Sequence, residues 1–97
     1  MHPSTLTSVN NLAFLLVAQG KLGDAEQFYR RALDGREQVL GPTHPATLDS
    51  VNNLACLLQT LGKVEEAKPL FERYEEWKAE QEEEEEEGSE VLGQEQR

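Results

Sequence analysis

The chain has 97 residues, 37% of them hydrophobic, a single cysteine and a formal charge of −10. A chain this short holds one small domain at most, and the lone Cys56 excludes an internal disulfide and points to a reducing, cytoplasmic setting. Residues 1–63 balance five basic against five acidic side chains, whereas residues 64–97 hold four basic and fourteen acidic ones, so no basic stripe offers itself to nucleic acid.

From its first residues the chain carries one half of an internal repeat. His2-Pro3-Ser4-Thr5-Leu6-Thr7-Ser8-Val9-Asn10-Asn11-Leu12-Ala13 returns as His44-Pro45-Ala46-Thr47-Leu48-Asp49-Ser50-Val51-Asn52-Asn53-Leu54-Ala55, 42 residues later. Leu15-Leu16, Gly20-Lys21, Ala25 and Arg31 recur at the same offset as Leu57-Leu58, Gly62-Lys63, Ala67 and Arg73. A fixed period of this size marks a repeat protein, in which each unit buries its apolar face by stacking on the next.

The first predicted helix spans Pro3–Gln19, with Leu6, Val9, Ala13, Leu16 and Val17 at three-and-four spacing. Pro3 suits a first helical turn and Gly20 a position just past a helix end. A second helix follows with Leu22, Ala25, Phe28, Ala32, Leu33, Val39 and Leu40, interrupted by Gly35 at an expected cost of about 1 kcal/mol. Gly41-Pro42-Thr43-His44 closes it, and either Thr43 or His44 caps the third helix, Pro45–Leu61. That helix repeats the first through Leu48, Val51, Ala55 and Leu58, and Gly62 ends it. The fourth carries Val64, Ala67, Leu70, Phe71, Tyr74 and Trp77, with Pro69 predicting a bend near Glu65. Connections this short require consecutive helices to lie antiparallel. Like charges in the Glu82–Glu87 run predict fraying before Gly88 and disorder to Arg97. The expected organisation is repeat 1 over 2–43, repeat 2 with a lengthened last helix over 44–81, and an acidic tail over 82–97.

The pattern Asn-Asn-Leu-Ala-x-Leu-Leu, then Gly-Lys, Ala, Phe-Tyr-Arg-Arg-Ala-Leu and Gly-Pro-Thr-His-Pro resembles the 42-residue tetratricopeptide repeat of kinesin light chains and nephrocystin-3-like proteins. The usual unit has about 34 residues. The resemblance covers roughly His2 to Lys78 and implies an all-α solenoid fragment of two helix-turn-helix repeats. It also implies a protein-protein interaction module, with the first and third helices lining a concave groove for a peptide or helix of a partner. By the repeat's register, Val9, Leu12, Ala13 and Leu16 belong to the core. Thr7, Asn10, Phe14 and Val17 then face the groove, matched in repeat two by Asp49, Asn52, Cys56 and Gln59. Family grooves that grip acidic peptides use lysine and arginine on these helices, and here neither helix has any. No heptad segment of the kind that joins kinesin light chains to their motor is present in the 97 residues.

Several residues invite sharper readings. His2 and His44 precede proline in equivalent linkers, one repeat apart, and read as loop packing rather than metal ligands; no metal or cofactor is expected. Phe28, Tyr29, Phe71 and Tyr74 occupy core positions. Trp77, with Tyr74 beside it, either covers the end of the stack or anchors a contact with another chain. The glutamate run is read as a solvated tail, with a basic partner as the alternative. No signal peptide or bilayer-length apolar stretch appears, and no nucleophile-base pair or phosphate loop suggests an enzyme. Against the groove stands a structural alternative, in which apolar edges at Leu6, Val9 and Ala13 and at Leu70, Tyr74 and Trp77 drive stacking into a homo-oligomer or a longer array.

Overall fold

The computed structural model describes the backbone of residues 3–95 and the side chains of residues 5–82. Four helices follow one another: α1 (Pro3–Ala18), α2 (Leu22–Leu40), α3 (Pro45–Thr60) and α4 (Val64–Glu95). Helix α2 packs on both α1 and α3, and α3 packs on α4, as consecutive antiparallel helices in a two-repeat stack do.

The turns inside the two repeats are built alike. Gly20 and Gly62 take φ of 80° and 82°, a left-handed conformation that costs glycine nothing. Each lets the chain double back. The Gly20 N–H donates to the Val17 carbonyl at 2.9 Å and the Lys21 N–H to Leu16 at 2.9 Å; Gly62 donates to Gln59 at 3.0 Å and Lys63 to Leu58 at 2.8 Å. These are Schellman closures, which satisfy carbonyls the helix end would otherwise orphan. Between repeats, His44 is the cap: its Nδ1 accepts from the Ala46 N–H at 3.0 Å, with Pro45 in the first turn of α3. The Thr47 hydroxyl donates to the Gly41 carbonyl at 2.8 Å and holds the linker against α3. His2 lies outside the described residues.

The core is concentrated on α3, where Thr47, Leu48, Ser50, Val51, Leu54, Ala55, Leu57 and Leu58 are all buried. Helix α2 adds Ala25, Tyr29, Ala32 and Leu33, α4 adds Ala67, and α1 adds Leu6 and Ala13. Leu16, Val17, Phe28, Leu70, Phe71, Tyr74 and Trp77 pack half-buried around that cluster. The expectation that Leu12 is core is corrected. It is 43% exposed and Leu15 54%, because α1 packs extensively on α2 alone. Leu6 and Ala13, expected at an open edge, are instead fully buried.

Several polar arrangements join the repeats. In the interior, Arg36 Nη1 donates to Ser50 Oγ at 2.7 Å and to the Ala46 carbonyl at 3.1 Å, with both side chains buried. A buried guanidinium is tolerated only when its donors find acceptors, and no described buried side chain lacks a partner. Gly35, beside Arg36, is buried as well, so it is no surface defect of the helix. On the surface, Glu26 accepts from Lys63 at 2.8 Å and from Arg30 at 2.9 Å, and Arg30 reaches Glu66 at 3.2 Å. Nearer the other end of α2, Arg73 pairs with Glu37 at 2.7 Å and donates to the Pro42 carbonyl at 3.1 Å.

Helix α4 runs on through Pro69 and past the glutamate run to Glu95, further than the predicted fraying before Gly88. Exposed Glu65, whose carbonyl loses its partner to Pro69, can be hydrated. Glutamate is itself a strong helix former, and extending a helix already anchored by packing needs no new nucleus. The expected tail, 82–97, has its side chains beyond Glu82 outside the described residues.

Leu54→Ala, at a 1% exposed position, should cost about 2–5 kcal/mol. The same change at its copy, Leu12→Ala, should cost about 1 kcal/mol or less. Urea denaturation of the two variants decides; equal losses would mean that the outer face of α1 is covered. The hydrogen bonds from Lys63, then Arg30, hold the Glu26 carboxyl below its ordinary value of 4.5 against the opposing effect of burial. A carboxylate pKa depressed on folding adds stability that is present above pH 4.5 and lost as pH falls through the folded value. Glu26→Gln should therefore lower stability by roughly 0.5–1 kcal/mol at pH 7 and progressively less under acid. Urea titrations of both proteins from pH 7 to pH 3 measure the convergence.

Candidate functional site

Because α1 and α3 are copies set side by side, equivalent faces of the two helices look toward the same solvent. A cleft of about 230 Å³ opens between them. Phe14 and Val17 of α1 line one wall, Asn53, Cys56, Leu57 and Thr60 of α3 the other, and Tyr29 of α2 contributes from below. Phe14 is 69% exposed, and Cys56 on the α3 wall is exposed as well. Tyr29 is buried; desolvation, with a smaller contribution from Cys56, pushes its phenol above the ordinary value.

Polar groups are few and largely committed. Asn53 Nδ2 donates to Asn10 Oδ1 at 3.3 Å, tying α3 to α1. This leaves Asn53 its second N–H and its own carbonyl oxygen for a ligand. The Thr60 hydroxyl donates to the Cys56 carbonyl at 3.0 Å. None of the lining residues is charged. Such a cleft suits an uncharged segment with an apolar side chain, and offers no cation to a phosphate or carboxylate.

Of the residues singled out from the sequence, Phe14, Val17 and Cys56 line this cleft, and Asn10 is joined to it through Asn53. Asp49 is exposed and Asn52 half-buried, and neither is among the lining residues. Gln59 lines a second cleft of about 200 Å³ between α3 and α4, with Val64, Ala67, Lys68, Phe71, Glu72 and Glu75. Asn53, Tyr29, Leu57 and Thr60 line the first cleft as well. Pairing Asn10 with its copy Asn52 was natural from the sequence, but in the stack Asn10 meets the residue after that copy, Asn53. Trp77 and Tyr74 lie outside both clefts, half-buried against the core, their ring centroids 6.0 Å apart and tilted by 46°.

Among the described residues there is no group of three or more metal-binding side chains, and no helix is long and apolar enough to cross a membrane.

The tetratricopeptide repeat profile matches residues 4–76. No curated protein matches the chain. Among solved structures, the chain is similar to a crystal structure from Podosopora anserina, described as nearly identical TPR-like repeats of a protein assigned as a kinesin light chain. The TM-score is 0.73 at 29% identity, over 84% of this chain and 39% of that one. The present chain thus spans well under half the length of that neighbour. With the 42-residue period, the paired Schellman turns and a profile match across both repeats, the chain belongs to the tetratricopeptide repeat family.

Proposed function

We propose that the chain is a protein-protein interaction module that holds an uncharged peptide segment of a partner in the cleft between α1 and α3. Tetratricopeptide repeats in general mediate protein-protein interaction or scaffolding, and the coarser half of the reading follows from family membership. The observation that carries the finer half is Phe14. A phenylalanine 69% exposed on the wall of an uncharged cleft that Cys56 and Leu57 also line is the kind of aromatic anchor that dominates binding energy at interfaces. Val17 widens the apolar wall, while Asn10 and Asn53 hold the two helices in register and present an amide to the ligand's backbone. Asp49, Asn52 and Gln59, which do not line this cleft, are not part of the proposed grip. No catalytic step is part of this reading, and the partner is a protein.

Peptides selected from a random display library against the full chain provide the test. Phe14→Ala is expected to weaken the selected peptides by about tenfold or more, which corresponds to about 1.4 kcal/mol. Alkylating exposed Cys56 with a bulky maleimide should block them, whereas Asp49→Ala should change binding little. Peptides that bind Phe14→Ala and the alkylated chain as well as the unmodified protein would remove the cleft from consideration.

A further inference from the structure

The eight buried residues of α3 have eight counterparts in α1, and all eight are identical. Thr47, Leu48, Ser50, Val51, Leu54, Ala55, Leu57 and Leu58 correspond to Thr5, Leu6, Ser8, Val9, Leu12, Ala13, Leu15 and Leu16. Their environments differ. Leu54 and Leu57 are 1% and 4% exposed, and Leu12 and Leu15 are 43% and 54% exposed. Thr47 is buried and Thr5 is exposed. Helix α3 packs extensively on two helices, α2 and α4, whereas α1 packs extensively on α2 and meets α3 only along the cleft. The sequence of α1 is therefore that of a helix covered on a second side, and α2 shows what covers it: Ala32 and Leu33 one turn before buried Arg36, with Gly35 beside it. The Arg36 guanidinium reaches the first turn and Ser50 of α3.

The opposite end of the stack lacks this surface. At the 42-residue offset, Ala32 becomes Tyr74, Leu33 becomes Glu75, Gly35 becomes Trp77 and Arg36 becomes Lys78. Two rings stand where α2 has a methyl group and a hydrogen, packed on each other and on their own core. Glu75 would set a carboxylate against leucine, and Lys78 replaces a planar fork of donors with a point charge.

We infer that the outer face of α1 docks a helix of α2 chemistry from another 42-residue tetratricopeptide repeat, with alanine and glycine at the crossing and an arginine aimed at the start of α1, and that α4 terminates the stack. A second copy of this chain is not the occupant: its α2 is already covered by its own α3, and its α4 carries Tyr74, Glu75 and Trp77. The stack is thereby polar, open at α1 and closed at α4. This is independent of the cleft, whose lining includes neither Leu12 nor Leu15.

Two extended proteins test the polarity. One carries a copy of residues 2–43 directly before His2; the other carries the same copy in repeat register, starting at position 86. The first should unfold in one urea transition with a higher midpoint and a steeper slope than the 97-residue chain. The second should show no rise in midpoint. Leu12→Glu with Leu15→Glu should cancel the gain of the first while leaving the 97-residue chain, where both are exposed, close to its own midpoint. An unchanged midpoint in the first protein, or an equal gain in the second, overturns the inference. Sedimentation equilibrium of the unextended chain is the remaining arm: a monomer supports the assignment, and self-association lost on Leu12→Glu would make a second copy the occupant and overturn it.

Discussion

The crossing of α2 and α3 is the contact on which the rest depends. Helices inside a repeat are joined by tight turns and meet because the chain leaves them no alternative. The two repeats meet where α2 buries Ala32, Leu33 and Gly35 and where Arg36 donates to Ser50 and the Ala46 carbonyl of α3. Burying a guanidinium is costly unless its donors are matched, and matching them requires α3 to sit in one register. Leu54 and Leu57 supply apolar burial that is indifferent to small slips; the Arg36 bonds are directional and are not.

The cleft follows from that register. Once α3 is set against α2, its Asn53 falls opposite Asn10, and Cys56 and Leu57 fall opposite Phe14 and Val17, with Tyr29 closing the gap from below. The ion pairs of Glu26, Arg30, Lys63 and Glu66 span α2 and α4 on the surface, away from the cleft lining. They are half-exposed and screened, so they trim the geometry and do not set it. The cleft keeps its uncharged character because the charges of the first 63 residues are spent in these pairs or stand elsewhere on the surface.

Much of the architecture was legible in the amino-acid order. The 42-residue echo gave the repeat, Pro45 gave the start of α3, and Gly20 and Gly62 the ends of α1 and α3, each through local backbone chemistry that acts over a few residues. Gly35 was legible only as a helix weakness, because its value lies in what approaches it. The apolar face of α1 was legible as core, since Leu12 and Leu15 are spelled like Leu54 and Leu57, and only the missing neighbour exposes them. The length of α4 was misread for a third reason: like-charge repulsion was weighed above the strong helix preference of glutamate.

What the sequence by itself determined is therefore what is of short range or of exact repetition: helix number, turn chemistry, period, family and the absence of lysine and arginine from the groove helices. Tertiary structure alone decided which copy of a repeated residue is buried, that Asn10 meets Asn53 and not Asn52, and that Arg36 is an interior hydrogen-bonding group. The physical reason is that a repeat writes the same surface twice, while the ends of a finite stack give the two copies different neighbours. Identical residues then differ in burial, and burial is a property of what packs against a side chain.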